Sequence, residues 1–303
     1  MGIAYERTHR HGWWWKTLLS GFGLWVATIV VTVGTLNSNL IPTLILLGSF
    51  LVPFSVVLFV VERLTGTLAP VQVFLAFFVG GVFGVLGASV LESDLHASAW
   101  IYFRVGLIEE FVKTLIVVVM GRQVRPKTAS QGALLGACVG SGFAAFESAG
   151  YAFNAALTTN GIDLGSLLQT EVMRSVLTPV GHVLWTSLLG AVIFGAADQQ
   201  SARYRFTKGV LASFLAVAVL HGLWDSMGGI AAVLAVIFTG NAVPVLEYGF
   251  LRPGTDAAVA SLSSTFYVGG LIIVSVLGLA GLRLALRHHQ SRFRTRPSGT
   301  DIA

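Results

Sequence analysis

Apolar residues fill most of this chain in runs of about 20 residues, and short polar segments separate the runs. Such a run has the length that an α-helix needs to cross the roughly 30 Å hydrocarbon core of a bilayer. The pattern predicts about eight membrane-spanning helices, near residues 17–36, 42–61, 69–91, 99–120, 131–155, 176–197, 209–227 and 266–286. Residues 228–240 remain apolar, but Gly228 and Gly229 interrupt them, which favours a re-entrant or interfacial segment there.

The composition excludes an ordinary soluble domain. The chain is 54% hydrophobic and only 11% charged, whereas soluble domains average about 25% charged residues. No linker or change in composition marks a second domain. We therefore predict an all-α, polytopic transmembrane helical bundle that forms a single integral membrane domain over residues 1–303 and lies in the cell membrane as a multi-pass protein.

The distribution of positive charge predicts the orientation of the bundle. Most of the 19 lysines and arginines fall in alternate loops and in a basic tail at 287–303, whereas the other loops hold only Arg174 and Arg252. Because cytoplasmic loops carry an excess of Lys and Arg, both termini are predicted to be inside and the tail to be cytoplasmic. The net charge of +5 thus indicates a partnership with the lipid bilayer, and no nucleic-acid partner is expected.

The fourth predicted helix carries three charged residues at its centre, Glu109, Glu110 and Lys113. An ionisable group at that depth costs at least about 2.5–3.5 kcal/mol, so it is rarely kept without a function. On a helix, Lys113 lies within reach of both carboxylates through the i,i+4 and i,i+3 relations. One ammonium cannot neutralise both, so either one glutamate is protonated or a further cation completes the site.

Further polar residues lie in the next three predicted helices, namely Glu147, His182, His221 and Asp225. Counting about 1.5 Å per residue from the helix ends places them between the midplane and the outer surface, close to the depth of the glutamate pair. Each has a structural alternative. Glu147 could pair with Arg174, and Asp225 could orient His221. Their common depth nevertheless predicts that they converge on one site.

Carboxylates and imidazoles together can activate water, either as a general base with histidine beside it or as ligands of a divalent metal. The single Cys138 excludes an internal disulfide and a cysteine-based metal site. The H-E-x-x-H, G-x-G-D and G-x-S-G signatures of other intramembrane proteases are missing. The surplus of acids over Lys113 favours a divalent metal, with zinc as the first choice.

Four motifs in order resemble the PrsW family of intramembrane proteases, which is distantly related to the CAAX-prenyl-protease and bacteriocin-processing superfamily. They are E-E-x-x-K at Glu109, Glu110 and Lys113, then F-x-x-x-E at Phe143 and Glu147, then His182, and finally H-x-x-W-D at His221, Trp224 and Asp225. Ser148 departs from the family's F-x-x-x-E-N pattern. The resemblance covers residues 109–225, and it suggests a catalytic core at about 99–227.

The resemblance implies an endopeptidase that cuts a membrane-anchored, anti-sigma-factor-like protein on its extracytoplasmic side. By analogy, Glu109 and Glu110 would activate water near Lys113, and Asp225 would orient His221 or contribute to the oxyanion site. A metal would be held by Glu147, His182 and His221. The oligomeric state is not predicted.

Two other functions are compatible with these residues. A proton- or cation-coupled transporter would also use intramembrane Glu, Lys and His, although no inverted repeat is evident. A catalytically inactive scaffold is the third hypothesis. Two stripes of small residues, Gly132-Gly136-Gly140 and Gly80-Gly84, predict close helix packing rather than catalysis.

Overall fold

The computed structural model describes residues 11–63, 68–98, 100–159, 161–198 and 201–294, with the backbone alone for 289–294. A short antiparallel hairpin pairs β1 (Leu157–Thr158) with β2 (Gly161–Ile162). Within these ranges the α-helices are α1 Trp13–Thr35, α2 Ile41–Val61, α3 Pro70–Glu92, α4 Ile101–Met120, α5 Ala129–Ala156, α6 Leu164–Leu177, α7 His182–Ala196, α8 Lys208–Phe238, α9 Ala242–Tyr248 and α10 Asp256–Arg294. The predicted all-α membrane bundle is confirmed.

In the described part of the chain, seven helical stretches are long and apolar enough to cross a membrane. They are Trp13–Thr35, Ser38–Val61, Pro70–Glu92, Ala129–Ala156, Leu164–Ala196, Lys208–Phe238 and Asp256–His288. The helix α4 is not among them, since Arg104, Glu109, Glu110 and Lys113 make it too polar, but its 20 residues match the others in length. It packs against α3, α5, α7 and α8, and we interpret it as the eighth span.

Helix starts follow local sequence signals. Thr128 and Gln131 form a capping box at the start of α5, in which each side chain binds the backbone of the other residue. Asp163 accepts a hydrogen bond from the Ser166 backbone at the start of α6. Hydrogen bonds from Ser166 lower the pKa of this Asp163 carboxyl. The polar residues between apolar runs therefore position the helix that follows.

The central helix is α5, which packs against α2, α3, α4, α6 and α7. Glycines of α5 and of its neighbour α3 permit close contact on two sides of α5. A Cβ at Gly136 would lie 2.2 Å from the Thr186 carbonyl oxygen of α7, and one at Gly80 of α3 would lie 2.6 Å from the Val139 carbonyl oxygen. The predicted packing role of both glycine stripes is confirmed, because no larger residue allows the backbones to approach this closely.

Two predicted boundaries in the C-terminal half are wrong. The helix α8 continues through Gly228 and Gly229 to Phe238, so the predicted re-entrant segment does not exist. Glycine weakens a helix by only about 1 kcal/mol, and the apolar run that follows is enough to continue it. The last span starts ten residues earlier than predicted, since α10 begins at Asp256 instead of at residue 266. Much of the predicted basic tail lies outside the described residues.

The sixth predicted helix, 176–197, is broken. The α6 helix ends at Leu177, a 3₁₀ turn covers Thr178–Val180, and α7 begins at His182. The break follows from Pro179, which has no backbone N–H to donate, and from Gly181, whose φ and ψ of −103° and −117° lie outside the helical region. As a result His182 is the first residue of a helix and not a residue of its middle.

One end of the bundle carries the loops at 62–63, 121–128 and 197–207, and we call it the basic end. Hydrogen bonds join neighbouring segments at this end. Gln72 Nε2 of α3 donates to the Met120 carbonyl of α4 at 2.7 Å, and the Tyr204 hydroxyl donates to the Val118 carbonyl of α4 at 3.1 Å. Its basic residues include Arg63, Arg122, Arg125, Lys127, Arg203 and Arg205. These loops were all predicted to be cytoplasmic.

Replacement of Lys127 by methionine is expected to destabilise the protein. Lys127 is fully buried, and its ammonium donates to the carbonyls of Gly121, Arg122 and Val124 at 2.9, 3.1 and 2.9 Å. These carbonyls belong to the turn that follows α4 and are capped by Lys127, so leaving them without this donor should cost about 1–3 kcal/mol. Thermal unfolding in detergent measures the effect. The exposed Lys16→Met variant should unfold like the wild type, and an equal loss in both variants would contradict the capping role.

Candidate active site and metal centre

Four helices bring the polar residues together, and glycines set the distance between two of them. A Cβ at Gly106 of α4 would lie 2.7 Å from the Ala218 carbonyl oxygen of α8, and one at Gly222 would lie 3.0 Å from the Phe103 Cα. The two backbones therefore touch one turn before the glutamate pair and directly beside His221. This contact places the carboxylates of α4 against the imidazole of α8.

Lys113 forms the centre of the buried charge cluster and is itself inaccessible to solvent. Its ammonium lies 2.6 Å from Glu110 Oε1 and 3.4 Å from Glu109 Oε2. It also lies 3.0 Å from His182 Nδ1 and 4.4 Å from the centroid of the Phe143 ring. The predicted contact of this lysine with both glutamates of α4 is confirmed, and Lys113 also contacts two other helices, α7 through His182 and α5 through Phe143.

His221 is held between carboxylates from two helices. Its Nδ1 lies 2.9 Å from Glu110 Oε1 of α4, and its Nε2 lies 3.3 Å from Asp225 Oδ2 one turn further along α8. The same Nε2 lies 3.6 Å from Glu109 Oε2. The Glu110 contact thus fixes one ring nitrogen and directs the other towards Glu109 and Asp225.

His182 has a matching arrangement. Its Nε2 lies 3.0 Å from Glu147 Oε2 of α5, while its Nδ1 lies 3.9 Å from Glu109 Oε2. Glu147 also forms an ion pair with Arg174 of α6, so the structural alternative considered for this glutamate is present. Arg174 in turn donates to Ser148 Oγ at 2.8 Å and stacks over the Tyr151 ring.

The arrangement fits a divalent metal. Among the described residues, Glu109, His182 and His221 offer ligand atoms that all lie within 4.8 Å of one another. Ligands held about 2.0–2.1 Å from a tetrahedral zinc lie about 3.4 Å apart, and the 3.6 and 3.9 Å separations at Glu109 Oε2 are close to that value. Each histidine is also held by a carboxylate through its other nitrogen, as ligating histidines usually are.

The balance of charge also favours a cation. Four carboxylates meet two cationic side chains, namely Glu109, Glu110, Glu147 and Asp225 against Lys113 and Arg174. With neutral histidines this leaves two negative charges uncompensated, which is what a divalent ion neutralises. In addition, Glu110 Oε2 is buried and has no hydrogen-bond partner in the described part of the chain.

The site opens into a cavity of about 520 Å³. Glu109, Glu147, His182 and Asp225 line it. Its other lining residues include Glu92 at the end of α3, and the cavity extends away from the basic end of the bundle. Glu110, Lys113 and His221 lie beneath this surface. The cavity can therefore admit water and a peptide to some of the polar groups while the others support them from behind.

Aromatic residues form one wall of the site. One of them, Trp185, was not indicated by the sequence motifs. The Trp185 ring lies 4.7 Å from His221 and 5.6 Å from His182, measured between ring centroids. It also packs edge-on against Trp224. Trp185 lies one turn after His182, and that spacing was the available signal.

All seven site residues predicted from the sequence come together in the structure, namely Glu109, Glu110, Lys113, Glu147, His182, His221 and Asp225. Arg104, the other charged residue of α4, is exposed and stays apart from them. The grouping within the site differs from the prediction. Glu109 is the carboxylate whose oxygen lies close to both histidines, whereas Glu147 engages Arg174 and His182.

A scan against protein families matches residues 52–248 to the model of the PrsW family intramembrane metalloproteases. Neither a curated protein nor a solved structure matches the chain. The match covers about two thirds of the chain and every site residue, and it favours a peptidase over a transporter or an inactive scaffold. With the multi-pass helical bundle, it also implies a divalent metal and membrane-protein substrates. The chain therefore belongs to the PrsW family of intramembrane metalloproteases, and it is a membrane-embedded peptidase.

Proposed function

We propose that the protein is an endopeptidase that hydrolyses a peptide bond of a membrane-anchored, anti-sigma-factor-like protein on its extracytoplasmic side. One observation carries the proposal, namely the convergence of carboxylates and imidazoles at a cavity that extends away from the basic end. The excess of Lys and Arg predicts that the basic end faces the cytoplasm. The cavity then opens on the opposite side, where the extracytoplasmic part of a substrate is available.

Zinc is the metal we propose, with Glu109, His182 and His221 as its ligands, because glutamate and histidine are common zinc ligands at catalytic sites. When bound, such an ion lowers the pKa of water and polarises a carbonyl group. This replaces the expectation that Glu147 is a ligand and that Glu109 is the base. The distances support this change of ligand. His182 Nδ1 and His221 Nε2 lie 3.9 and 3.6 Å from Glu109 Oε2.

Glu110 and Glu147 are then positioning residues, which hold the ring nitrogens of His221 and His182 that face away from Glu109. Lys113 keeps the two α4 carboxylates together despite their burial. Its ammonium lies 3.0 Å from His182 Nδ1, and a bound metal would replace that contact, because one nitrogen lone pair cannot serve both. A buried charge of this kind is tolerated because it is paired on every side. These roles make the ligand geometry rigid before a substrate arrives.

Asp225 is the residue that we propose as general base. It lines the cavity and lies 3.3 Å from His221 Nε2, whereas Glu147 is already engaged by both Arg174 and His182. In the proposed reaction the water oxygen attacks the peptide carbonyl carbon while Asp225 accepts the water proton. The proton then passes to the amide nitrogen as the C–N bond breaks, which releases an amine and a carboxylic acid, and the acid loses its remaining proton to solvent.

The Asp225→Asn variant tests this function. We expect cleavage to fall by about 10²–10⁴-fold, the usual contribution of a general base, while the protein keeps its metal. The measurement compares new protein N-termini in membranes of cells that express the wild type or the variant, together with the metal content of the purified proteins. Asp256→Asn, at the exposed start of α10, is the matched control.

Cleavage by Asp225→Asn at the wild-type rate would show that another group is the base. Loss of the metal together with activity would make Asp225 a ligand. Absence of any N-terminus that depends on the wild-type protein, in cells that contain it in metal-loaded form, would contradict the proposed endopeptidase function itself.

A further inference from the structure

Two grooves flank the first turns of α8 at the basic end, and neither shares a lining residue with the proposed catalytic cavity. The first groove has a volume of about 890 Å³ and lies between α7, α8 and α10, where it follows α8 from Lys208 to Leu220. The second groove has a volume of about 490 Å³ and lies between α4, α7 and α8. Both are lined by Val192, Thr207, Lys208 and Val210, so they meet at the start of α8.

The ionisable residues that line the two grooves lie at one end and are all basic. In the first groove they are Arg205, Lys208 and His288, and in the second Lys208. No aspartate or glutamate occurs among the described residues that line either groove. The remaining lining consists of apolar or small residues. Each groove thus has a cationic mouth and an apolar body, which is the complement of an acidic headgroup joined to a hydrocarbon chain.

The length of the first groove matches the thickness of one membrane leaflet. From Lys208 to Leu220 an α-helix rises about 18 Å, and half of a hydrocarbon core of about 30 Å is about 15 Å. The mouth lies at the basic end, at the level where lipid headgroups of one leaflet are found. A chain that enters beside Lys208 therefore runs along α8 as far as the middle of the bilayer.

We propose that these two grooves form a binding site for one anionic phospholipid of the leaflet at the basic end. Arg205 and Lys208 bind the acidic headgroup, and the acyl chains lie one in each groove, on either side of the first turns of α8. A zwitterionic lipid fits the apolar bodies equally well, but its headgroup lacks the net charge that this mouth selects. Basic pockets between transmembrane helices on the cytoplasmic side bind acidic headgroups in this way.

The test compares two lipids on delipidated protein in a neutral detergent. Palmitoyl-oleoyl phosphatidylglycerol and the matching phosphatidylcholine are titrated separately, and bound lipid is counted by native mass spectrometry while the unfolding temperature is recorded. The wild type is expected to retain one phosphatidylglycerol and to bind it more tightly than phosphatidylcholine. The Arg205→Gln, Lys208→Gln double variant should bind phosphatidylglycerol about 25-fold more weakly, at about fivefold for each basic residue.

Two further variants separate headgroup charge from groove shape. The Arg122→Gln, Arg203→Gln double variant removes two exposed basic residues of the same end that do not line the grooves, and it should bind like the wild type. Ala216→Phe fills the first groove from an exposed position and should weaken both lipids while charge is unchanged. Equal affinity for the two lipids, or equal losses in the two double variants, would overturn the site. Stabilisation by inorganic phosphate as strong as that by phosphatidylglycerol would overturn it too, because a soluble anion site needs no grooves.

Discussion

Purified Glu109→Gln protein is expected to contain no stoichiometric zinc and to have lost peptidase activity by about a thousandfold or more. Glu109 Oε2 is the carboxylate oxygen towards which His182 Nδ1 and His221 Nε2 both point. Without this ligand the protein should not hold the metal, which stabilises the transition state by several kcal/mol. Each 1.36 kcal/mol of lost stabilisation lowers the rate tenfold. The variant should remain folded, because Lys113 keeps its 2.6 Å contact with Glu110.

The same measurement distinguishes ligands from positioning residues. Elemental analysis of detergent-purified protein should find about one zinc per chain in the wild type. Glu147→Gln should keep zinc with an affinity lowered by 10–100-fold, the usual effect of losing the partner of a ligating histidine. Glu247→Gln, on the exposed face of α9, should match the wild type in both zinc and activity.

The opposite pattern would restore the assignment made from sequence. If Glu147→Gln loses zinc and Glu109→Gln keeps it without activity, Glu147 is the ligand and Glu109 is the base. If the wild type contains no metal after purification without chelators, and cleaves its substrate in that state, the proposed metal centre is wrong. The peptidase would then depend on a carboxylate and an imidazole alone.

Gly136→Ala should destabilise the bundle by about 1–3 kcal/mol and reduce activity although the residue is not at the site. The new Cβ would lie 2.2 Å from the Thr186 carbonyl oxygen of α7, where no flexible side chain can give way. Insertion of a methyl group into a well-packed interface costs about this much. Because α7 starts at His182, a displaced α7 also moves a proposed ligand.

Gly150→Ala is the matched control on the same helix, since a Cβ there meets nothing within 4 Å. We expect its free energy of unfolding and its zinc content to equal those of the wild type. Chemical unfolding in detergent and elemental analysis measure both quantities. An unchanged Gly136→Ala protein would show that the two helices separate without cost, and the packing role of the glycine stripe would then be wrong.

Much of the site was predictable because the membrane makes polar residues expensive. Glu109, Glu110 and Lys113 are conspicuous in an apolar run, and their depth, counted along the helix, placed them level with residues of three other spans. The contacts of Lys113 with both glutamates followed from helix geometry alone. The resemblance of the four motifs then identified the family that the comparison over residues 52–248 shows.

The errors have local physical causes. A pair of glycines suggested that the helix ends at Gly228, but their cost is small beside the apolar surface of a continuous α8. The 3₁₀ break before His182 was missed because the apolar run in the sequence continues across it, although Pro179 and Gly181 are signals of a helix break. Trp185 is an aromatic residue in an apolar run, where its indole N–H does not set it apart, and only its contact with both histidines marks it.

By itself the sequence determined the membrane bundle, the family and the seven residues that meet in the site. The length of an apolar segment and the presence of charge within it can both be read along the chain, and the bilayer makes both of them informative. Only the tertiary structure decided how those residues are grouped. It placed both inward-facing imidazole nitrogens within 3.9 Å of Glu109 Oε2, paired Glu147 with Arg174, and opened the cavity away from the basic end. These relations join side chains on different helices, and they depend on the close approach of backbones at Gly106, Gly136 and Gly222, which no pattern within one helix specifies.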